Sequence, residues 1–314
     1  MPIPSSRPWR EYGLPSVLFL ASVVTTTAIG ARFMQNFLDG LPMVASESDL
    51  WPWPWLLEHP SRFFLGWSFC GALLGILLTH EFGHYFACRA HGIRCTLPWV
   101  LPAPTLSGTI GAVIQIRGLI PNRRALIDVG VYGPIAGYLA SVVAVVTGFL
   151  LSHPAPAGAV HALIDFHQPL TMVIVHHVLL LFDPSSPSFE LGLRHPILIA
   201  GWVGLFITSL NLIPAGQLDG GHILYSLSPR IHRIATRVLP VVLLLCGFFF
   251  WLGWILWGLV LFLPAMRHAR VPPGPPLDKR RKMLAWIALA IFLLTFSAQP
   301  FSDTSLLHYL RPHP

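Results

Sequence analysis

The sequence has 314 residues, of which 54% are hydrophobic and 11% are charged, and its formal net charge is +7. This composition predicts a polytopic membrane protein and excludes a soluble enzyme with one membrane anchor. The basic residues flank apolar runs, so we attribute the positive charge to membrane topology and expect no nucleic-acid partner. The four cysteines form no C-x-x-C pair, which argues against a disulfide framework and a thiolate zinc site.

Seven apolar runs are predicted to form transmembrane helices, which indicates an all-α polytopic membrane protein. They cover residues 14–31, 63–90, 125–151, 196–213, 238–250, 251–264 and 283–298. The two neighbouring runs within 238–264 could instead form one tilted helix, and the sequence leaves both alternatives open. Residues 170–182 are too short to span a bilayer, so we interpret them as an interfacial or re-entrant segment.

The distribution of lysine and arginine supports this layout. If the N-terminus is cytoplasmic and all seven helices cross, 16 of the 20 basic residues lie inside and four lie outside. Such an excess follows the positive-inside rule. We therefore expect residues 94–124 and 267–282 in the cytoplasm and residues 153–194 outside. In a bacterium, the protein would lie in the inner or plasma membrane.

The sequence H-E-F-G-H occurs near the end of the predicted helix 63–90 and contains His80, Glu81 and His84. On a helix, the two histidines are four residues apart and face the same side, so they can share one metal ion. Glu81 can then accept a proton from a metal-bound water. Ionisable residues inside a membrane helix are costly, and they therefore indicate a functional site.

A catalytic zinc usually has three protein ligands and one water, so a third ligand is needed. Segment 211–221 supplies one carboxylate, Asp219, surrounded by one proline and three glycines that break the helix. Irregular backbone at membrane depth is tolerated where it lines a cavity. We predict that Asp219 is the third ligand; the alternative is a loop aspartate that caps the segment beginning at Gly220. In the predicted topology both motifs reach the cytoplasmic ends of their helices.

These two motifs, in this order on apolar helices, resemble the site-2 protease family of intramembrane zinc metalloproteases. Residues 108–112, 120–125 and 133–137 are similar to the PDZ-less branch with plastid and cyanobacterial members. The resemblance covers about residues 63–262. It implies a three-helix core that holds one zinc ion through His80, His84 and Asp219, with Glu81 as the catalytic base. It also implies cleavage of helices embedded in the membrane.

We expect a single membrane-embedded peptidase domain over residues 1–314, with the catalytic core at about 63–262. Residues 267–314 would form a cytoplasmic proline-rich linker and a C-terminal transmembrane helix. The alternation in 109–117 predicts a strand, a short β-hairpin or a re-entrant segment between the second and third spans; the alternative is a plain cytoplasmic loop. The edge of the strand, with Gly111 and Ile114, would receive an extended substrate by strand addition. Asn211 would donate a hydrogen bond to a substrate carbonyl or, alternatively, bond a neighbouring helix.

Several other residues receive structural interpretations. The small-xxx-small spacings at 71–75 and 133–137 predict helix packing. Asp128 is expected to cap its helix or to pair with Arg123 or Arg124. His222 follows the Asp-Gly-Gly sequence and could support the metal site or serve packing alone. His176 and His177 lie on the outer side in the predicted topology, away from the metal.

Three functions are compatible with the sequence. The first is an intramembrane zinc endopeptidase that acts on transmembrane segments, with the lipid bilayer and a substrate helix as partners; association with a second copy is left open. The second is a protease-like membrane binding protein without catalytic activity. The third is a di-iron oxidase with histidine boxes, which needs about eight histidines on one side, and the cytoplasmic half lacks them.

Overall fold

The computed structural model describes residues 12–155, 162–184, 186–189, 192–302 and 304–307, and these residues are mainly helical. The helices in these ranges are α1 (Leu14–Leu38), α2 (Trp53–Glu58), α3 (Trp67–Ala90), α4 (Arg123–Leu151), α5 (Leu170–Leu180), α6 (Pro196–Asn211), α7 (Asp219–Leu227), α8 (Pro229–Phe249), α9 (Gly253–Phe262) and α10 (Lys279–Thr295). The strands are β1 (Trp99–Pro102), β2 (Thr109–Val113), β3 (His153–Pro154) and β4 (Gly192–Leu193), and they form two small sheets.

The apolar helices identify an integral membrane protein. In the described part of the chain, four helical stretches are long and apolar enough to cross a bilayer: α1, α4, α8, and α3 together with the 3₁₀ turn that precedes it. Helices α6, α9 and α10 have only 16, 10 and 17 residues. At 1.5 Å per residue, α9 is about 15 Å long, or half of a hydrocarbon core of about 30 Å. The layout with seven crossings therefore stays a prediction.

The alternative of one tilted helix over 238–264 is wrong, because α8 and α9 form an antiparallel pair. Gly247 packs on Ile255, and Gly258 packs on the backbone of Pro240. A Cβ at Gly253 would lie 2.2 Å from the ring atom Cζ2 of Trp251, so the turn between the helices requires a glycine at residue 253. Helix α5 has 11 residues and is too short to span, as predicted for this segment.

The predicted hairpin between the second and third spans is present. Strands β1 and β2 are antiparallel, with Trp99 opposite Val113 and Leu101 opposite Gly111. The strand covers only the first part of the predicted segment 109–117, since β2 ends at Val113. Helix α1 holds the hairpin, because Thr25 Oγ1 donates to the carbonyl of Gly108 at 2.6 Å. Among the described residues β2 pairs with β1 alone, so its other edge is open.

Helix α4 lies between α3 and α6, and glycines bring these helices into close contact. A Cβ at Gly83 of α3 would lie 2.5 Å from the carbonyl oxygen of Tyr132 on α4. A Cβ at Gly148 of α4 would lie 2.3 Å from the Cα of Leu198 on α6. Because glycine has no side chain, it allows the backbones of membrane helices to come into van der Waals contact. This close packing fixes the positions of the polar residues on α3.

The predicted pairing of Asp128 with Arg123 or Arg124 is wrong. Asp128 is buried on α4 and bonds His91 Nε2 at 2.8 Å and Arg281 Nε at 3.0 Å. Arg123 and Arg124 instead donate to backbone carbonyls of the proline-rich segment before α10. Asp128 lies in the first turns of α4. Through His91 and Arg281 it therefore links α4 to the C-terminal end of α3 and to α10. Helix α10 also packs on α4 through apolar residues.

Candidate metal centre

The two histidines of the H-E-x-x-H sequence lie one turn apart on α3 and face the same side. Their ring centroids are 4.9 Å apart, and both side chains are buried. Asp219, the first residue of α7, approaches them from the other side. Its Oδ2 atom is 3.2 Å from His80 Nε2 and 3.3 Å from His84 Nε2. The structure thus brings together three candidate ligands that are separated by up to 139 residues in the chain.

These three residues fit a zinc ion. Two imidazole nitrogens and one carboxylate oxygen are typical ligands of a catalytic zinc, which keeps its fourth position for water. Ligands at about 2.0–2.1 Å from a tetrahedral zinc lie roughly 3.3–3.4 Å from one another. The two distances from Asp219 Oδ2 agree with that spacing. In the described residues, this is the one group of three or more His, Cys, Asp or Glu side chains close enough to share a metal.

Hydrogen bonds orient the imidazoles. The carbonyl oxygen of Val129 on α4 lies 2.7 Å from His84 Nδ1. A carbonyl can only accept, so Nδ1 carries the proton and Nε2 keeps its lone pair for a metal. Asn211, at the end of α6, places Nδ2 at 3.4 Å from His80 Nε2. Asn211 therefore lies beside the candidate metal ligands.

The backbone between α6 and α7 determines where Asp219 lies. Gly216 has a φ of +59°, which favours glycine and turns the chain back toward α3. A Cβ at Gly220 would lie 2.0 Å from the carbonyl oxygen of Leu212, so the start of α7 can press against the preceding turn only with glycine there. Leu218 is the N-cap of α7, and the carboxylate of Asp219 bonds His80 Nε2. The side chain of Asp219 therefore points to the histidines.

Two glycines on α4 make room for the histidine rings. A Cβ at Gly133 would lie 2.1 Å from His84 Nε2, and one at Gly137 would lie 2.7 Å from His80 Nδ1. The sequence predicted only helix packing for these glycines. Their spacing of four residues matches that of the two histidines, and this match is the signal that could have revealed the contact. By contrast, a Cβ at Gly71 would meet no atom within 4 Å, so the spacing at 71–75 packs against nothing described here.

Glu81 lies between the two histidines in the sequence, and its side chain is buried, with 5% of its surface exposed. The backbone N–H of Ile114, the residue after β2, faces its carboxylate. Gly111 lies within β2, opposite Leu101, and has a φ of +117°. The structure therefore brings the end of the hairpin to the glutamate, whereas the sequence placed Ile114 inside the strand. Sequence reasoning gave no signal for this contact between α3 and the hairpin.

His222 does not join the group that could share a metal. Its Nδ1 atom lies 2.8 Å from Nε2 of His268, in the segment after α9. His176 and His177, on α5, also lie outside this candidate group. The sequence leaves the role of His222 open and does not indicate His268 as its partner, because no local pattern relates residues 46 positions apart.

Residues 68–254 match peptidase family M50. The "Probable zinc metalloprotease EGY1, chloroplastic" of Arabidopsis thaliana is 30% identical over 321 residues, which cover 93% of this chain and 54% of that protein. The "Probable zinc metalloprotease EGY2, chloroplastic" of Oryza sativa subsp. indica is 32% identical over 179 residues, which cover 56% of this chain and 32% of that protein.

The corresponding EGY1 protein of Oryza sativa subsp. japonica is 30% identical over 243 residues, or 74% of this chain and 40% of that protein. This chain thus spans about half or less of the curated relatives it matches. The matched family segment includes the H-E-x-x-H helix, the hairpin, α4 and the Asp219 turn. The chain therefore belongs to peptidase family M50, the site-2 protease family.

Proposed function

We propose that this protein is an intramembrane zinc endopeptidase that hydrolyses peptide bonds in transmembrane segments of other membrane proteins. The observation that carries the proposal is the approach of Asp219 Oδ2 to the Nε2 atoms of His80 and His84 at 3.2 and 3.3 Å. Membership of family M50 and the names of the similar zinc metalloproteases support zinc as the metal. We propose one zinc ion per chain and a single peptidase domain.

His80, His84 and Asp219 would hold the metal, and Glu81 and Asn211 would act on the water and the substrate. The zinc ion, when bound, polarises the scissile carbonyl and lowers the pKa of water. Glu81 accepts the proton of the attacking water and delivers it to the leaving amine, so no covalent intermediate with the protein forms. Burial of Glu81 keeps bulk water away from this proton transfer. Asn211 donates from Nδ2 to the carbonyl oxygen as negative charge develops on it.

The substrate must be extended where it is cut, because a helix keeps its backbone carbonyls hydrogen-bonded. The open edge of β2 supports binding of an unwound segment by strand addition. Ile114 follows β2 directly, and its N–H faces Glu81. A segment paired with β2 near Gly111 would therefore pass the catalytic carboxylate.

The depth of the site favours a particular cleavage level. Glu81 lies nine residues before Ala90, the end of α3, which is about 13 Å at 1.5 Å per residue. With the N-terminus and the active-site side in the cytoplasm, this depth corresponds to the cytoplasmic half of the bilayer. We propose single-span substrates that are cut at this level near helix-weakening residues, in regulated intramembrane proteolysis. Association of the chain with a second copy is a further possibility.

The experiment compares wild-type protein with Glu81→Gln and Asp219→Ala, each purified and reconstituted with a single-span substrate. Wild type should hold about one zinc ion and cleave. Glu81→Gln should retain zinc and lose cleavage, since an amide cannot accept the proton. Asp219→Ala should lose most of the metal. Cleavage by Glu81→Gln at near wild-type rate, or full zinc retention by Asp219→Ala, would contradict the assigned roles.

The two alternatives receive no support from a specific observation. A di-iron oxidase requires a larger histidine cluster, and the described residues contain one candidate metal group with two histidines. An inert binding protein has no need of the buried Glu81 beside two histidines and a carboxylate. Iron in place of zinc, or absence of cleavage by the wild-type protein in the same assay, would favour these alternatives.

A further inference from the structure

Residues 264–271, which follow α9, cross the turn that carries Asp219; we call this segment the strap. The side-chain amide of Gln217 donates two hydrogen bonds to it, from Nε2 to the carbonyl oxygens of Ala265 and Arg267, both at 2.8 Å. Gln217 precedes Asp219 by two residues. The strap is thus bonded directly to the turn that presents the candidate metal ligand.

A second contact lies on the other side of Asp219. His268 Nδ1 is 2.6 Å from the carbonyl oxygen of Ala269, which can only accept, so this nitrogen carries the proton. Burial lowers the pKa of His268, which favours the neutral ring. Its Nε2 therefore accepts the proton of His222 Nδ1, at 2.8 Å. His222 follows Asp219 by three residues, so the strap bonds the chain on both sides of the ligand.

Further packing fixes the strap in place. The ring of Tyr225 on α7 stacks on His268, with centroids 4.2 Å apart and an interplanar angle of 6°. The hydroxyl of Tyr225 accepts a hydrogen bond from the backbone N–H of Val271 at 3.2 Å. At the turn itself, a Cβ at Gly216 would lie 3.0 Å from the carbonyl oxygen of Met266, so the strap lies directly on the turn.

The chain beyond the strap is bonded to α4, the helix that orients His84. Arg123 Nε donates to the carbonyl oxygen of Pro273 at 3.2 Å, and Arg124 Nε donates to that of Pro276 at 2.8 Å. One continuous segment therefore contacts the turn of Asp219 at one end and the start of α4 at the other. It connects the turn that carries Asp219 to the helix whose Val129 carbonyl bonds His84.

We infer that the strap holds Asp219 in register with His80 and His84, and that Gln217 and His268 are positioning residues for the metal site. This inference rests on the proposed zinc site. The turn has irregular backbone and four glycines or prolines between residues 214 and 221, so it needs external bonds to keep one conformation. Residues that support metal ligands from outside the ligand set typically change metal affinity by about 10–100-fold when removed.

The test measures zinc affinity of the purified full chain by competition with a chelator, together with the thermal midpoint of the metal-free protein. The variants are Gln217→Ala, His268→Ala and His268→Gln, whose amide oxygen can still accept from His222. Trp202→Phe is the control. It removes the hydrogen bond that Trp202 Nε1 donates to the carbonyl oxygen of His167 at 2.7 Å, and this bond involves neither the strap nor the turn.

Gln217→Ala and His268→Ala should weaken zinc binding by about 10-fold or more. Both should keep the metal-free thermal midpoint close to that of Trp202→Phe, and His268→Gln should recover most of the affinity. Wild-type affinity in both alanine variants would overturn the inference. The inference would also be overturned if both alanine variants failed to fold, or if they lost metal-free stability without losing zinc affinity. The strap would then have a purely structural role. Absence of zinc binding by the wild type would instead refute the proposed function.

Discussion

Gly133 of α4 lies directly against the imidazole of His84, so that a Cβ at residue 133 would be 2.1 Å from Nε2. This nitrogen is the atom that faces Asp219 at 3.3 Å. The absence of a side chain on one helix therefore makes room for a candidate metal ligand on the next. Gly137 has the same relationship with His80, at 2.7 Å.

Gly133→Ala should displace the ring of His84 and weaken zinc binding by about 10-fold or more, because the added methyl group occupies the position of the ring. Zinc content after dialysis against a chelator measures the effect. Gly71→Ala on α3 is the matched control, since its added Cβ meets open space and alanine favours helix by up to about 1 kcal/mol. Equal zinc retention by the two variants would show that Gly133 has no role at the metal site.

Asp128→Ala should lower the free energy of unfolding by about 3 kcal/mol, because it leaves the partly buried guanidinium of Arg281 with one acidic partner fewer. Denaturant titration in detergent measures the loss. Asp39→Ala removes an exposed carboxylate that accepts from Gln35 on α1, and it should cost at most about 1 kcal/mol. Similar losses in both variants would argue against Asp128 as the link between α3, α4 and α10.

Ile114→Pro should slow cleavage and leave zinc content unchanged, because proline removes the N–H that faces Glu81. Initial cleavage rates and metal analysis of the same preparation separate the two effects. Leu119→Pro is the control in the same connection, at a side chain that is 96% exposed. A rate for Ile114→Pro equal to that of Leu119→Pro would exclude a role for the hairpin end in catalysis.

Substrates should be cut according to how easily their helices unwind. Replacing glycine or proline near the cut with leucine should slow cleavage, since these residues destabilise a helix by about 1 and 3 kcal/mol respectively. Cleavage rates of a matched substrate series measure the effect. If a uniform poly-leucine helix were cut as fast as the broken helix, unwinding would not limit the reaction.

Reporter fusions should place residues 94–124 and 267–282 in the cytoplasm and residues 153–194 outside. The reason is the excess of 16 basic residues against four. The short lengths of α6 and α9 make this test informative, because neither helix has the 20 residues of an average span. An external location of 267–282 would refute the layout with seven crossings.

Local patterns in the sequence predicted those features that depend on neighbouring residues. The four-residue spacing of His80 and His84 places them on one helix face, because an α-helix has 3.6 residues per turn. The apolar runs predicted α1, α3, α4 and α6, and the alternation after Gly108 predicted β2. The glycines around Asp219 predicted a break in the helix, because glycine adopts backbone conformations that other residues rarely take.

Relationships between distant segments were decided only by the tertiary structure. Asp128 pairs with Arg281, 153 residues away, because α10 packs on α4, and no property of the segment around Asp128 favours that partner over Arg124. The contacts of Gly133 with His84 and of Gln217 with the strap likewise depend on which helices meet. Helical periodicity determines the face on which a side chain lies, whereas its partner depends on the packing of the whole chain.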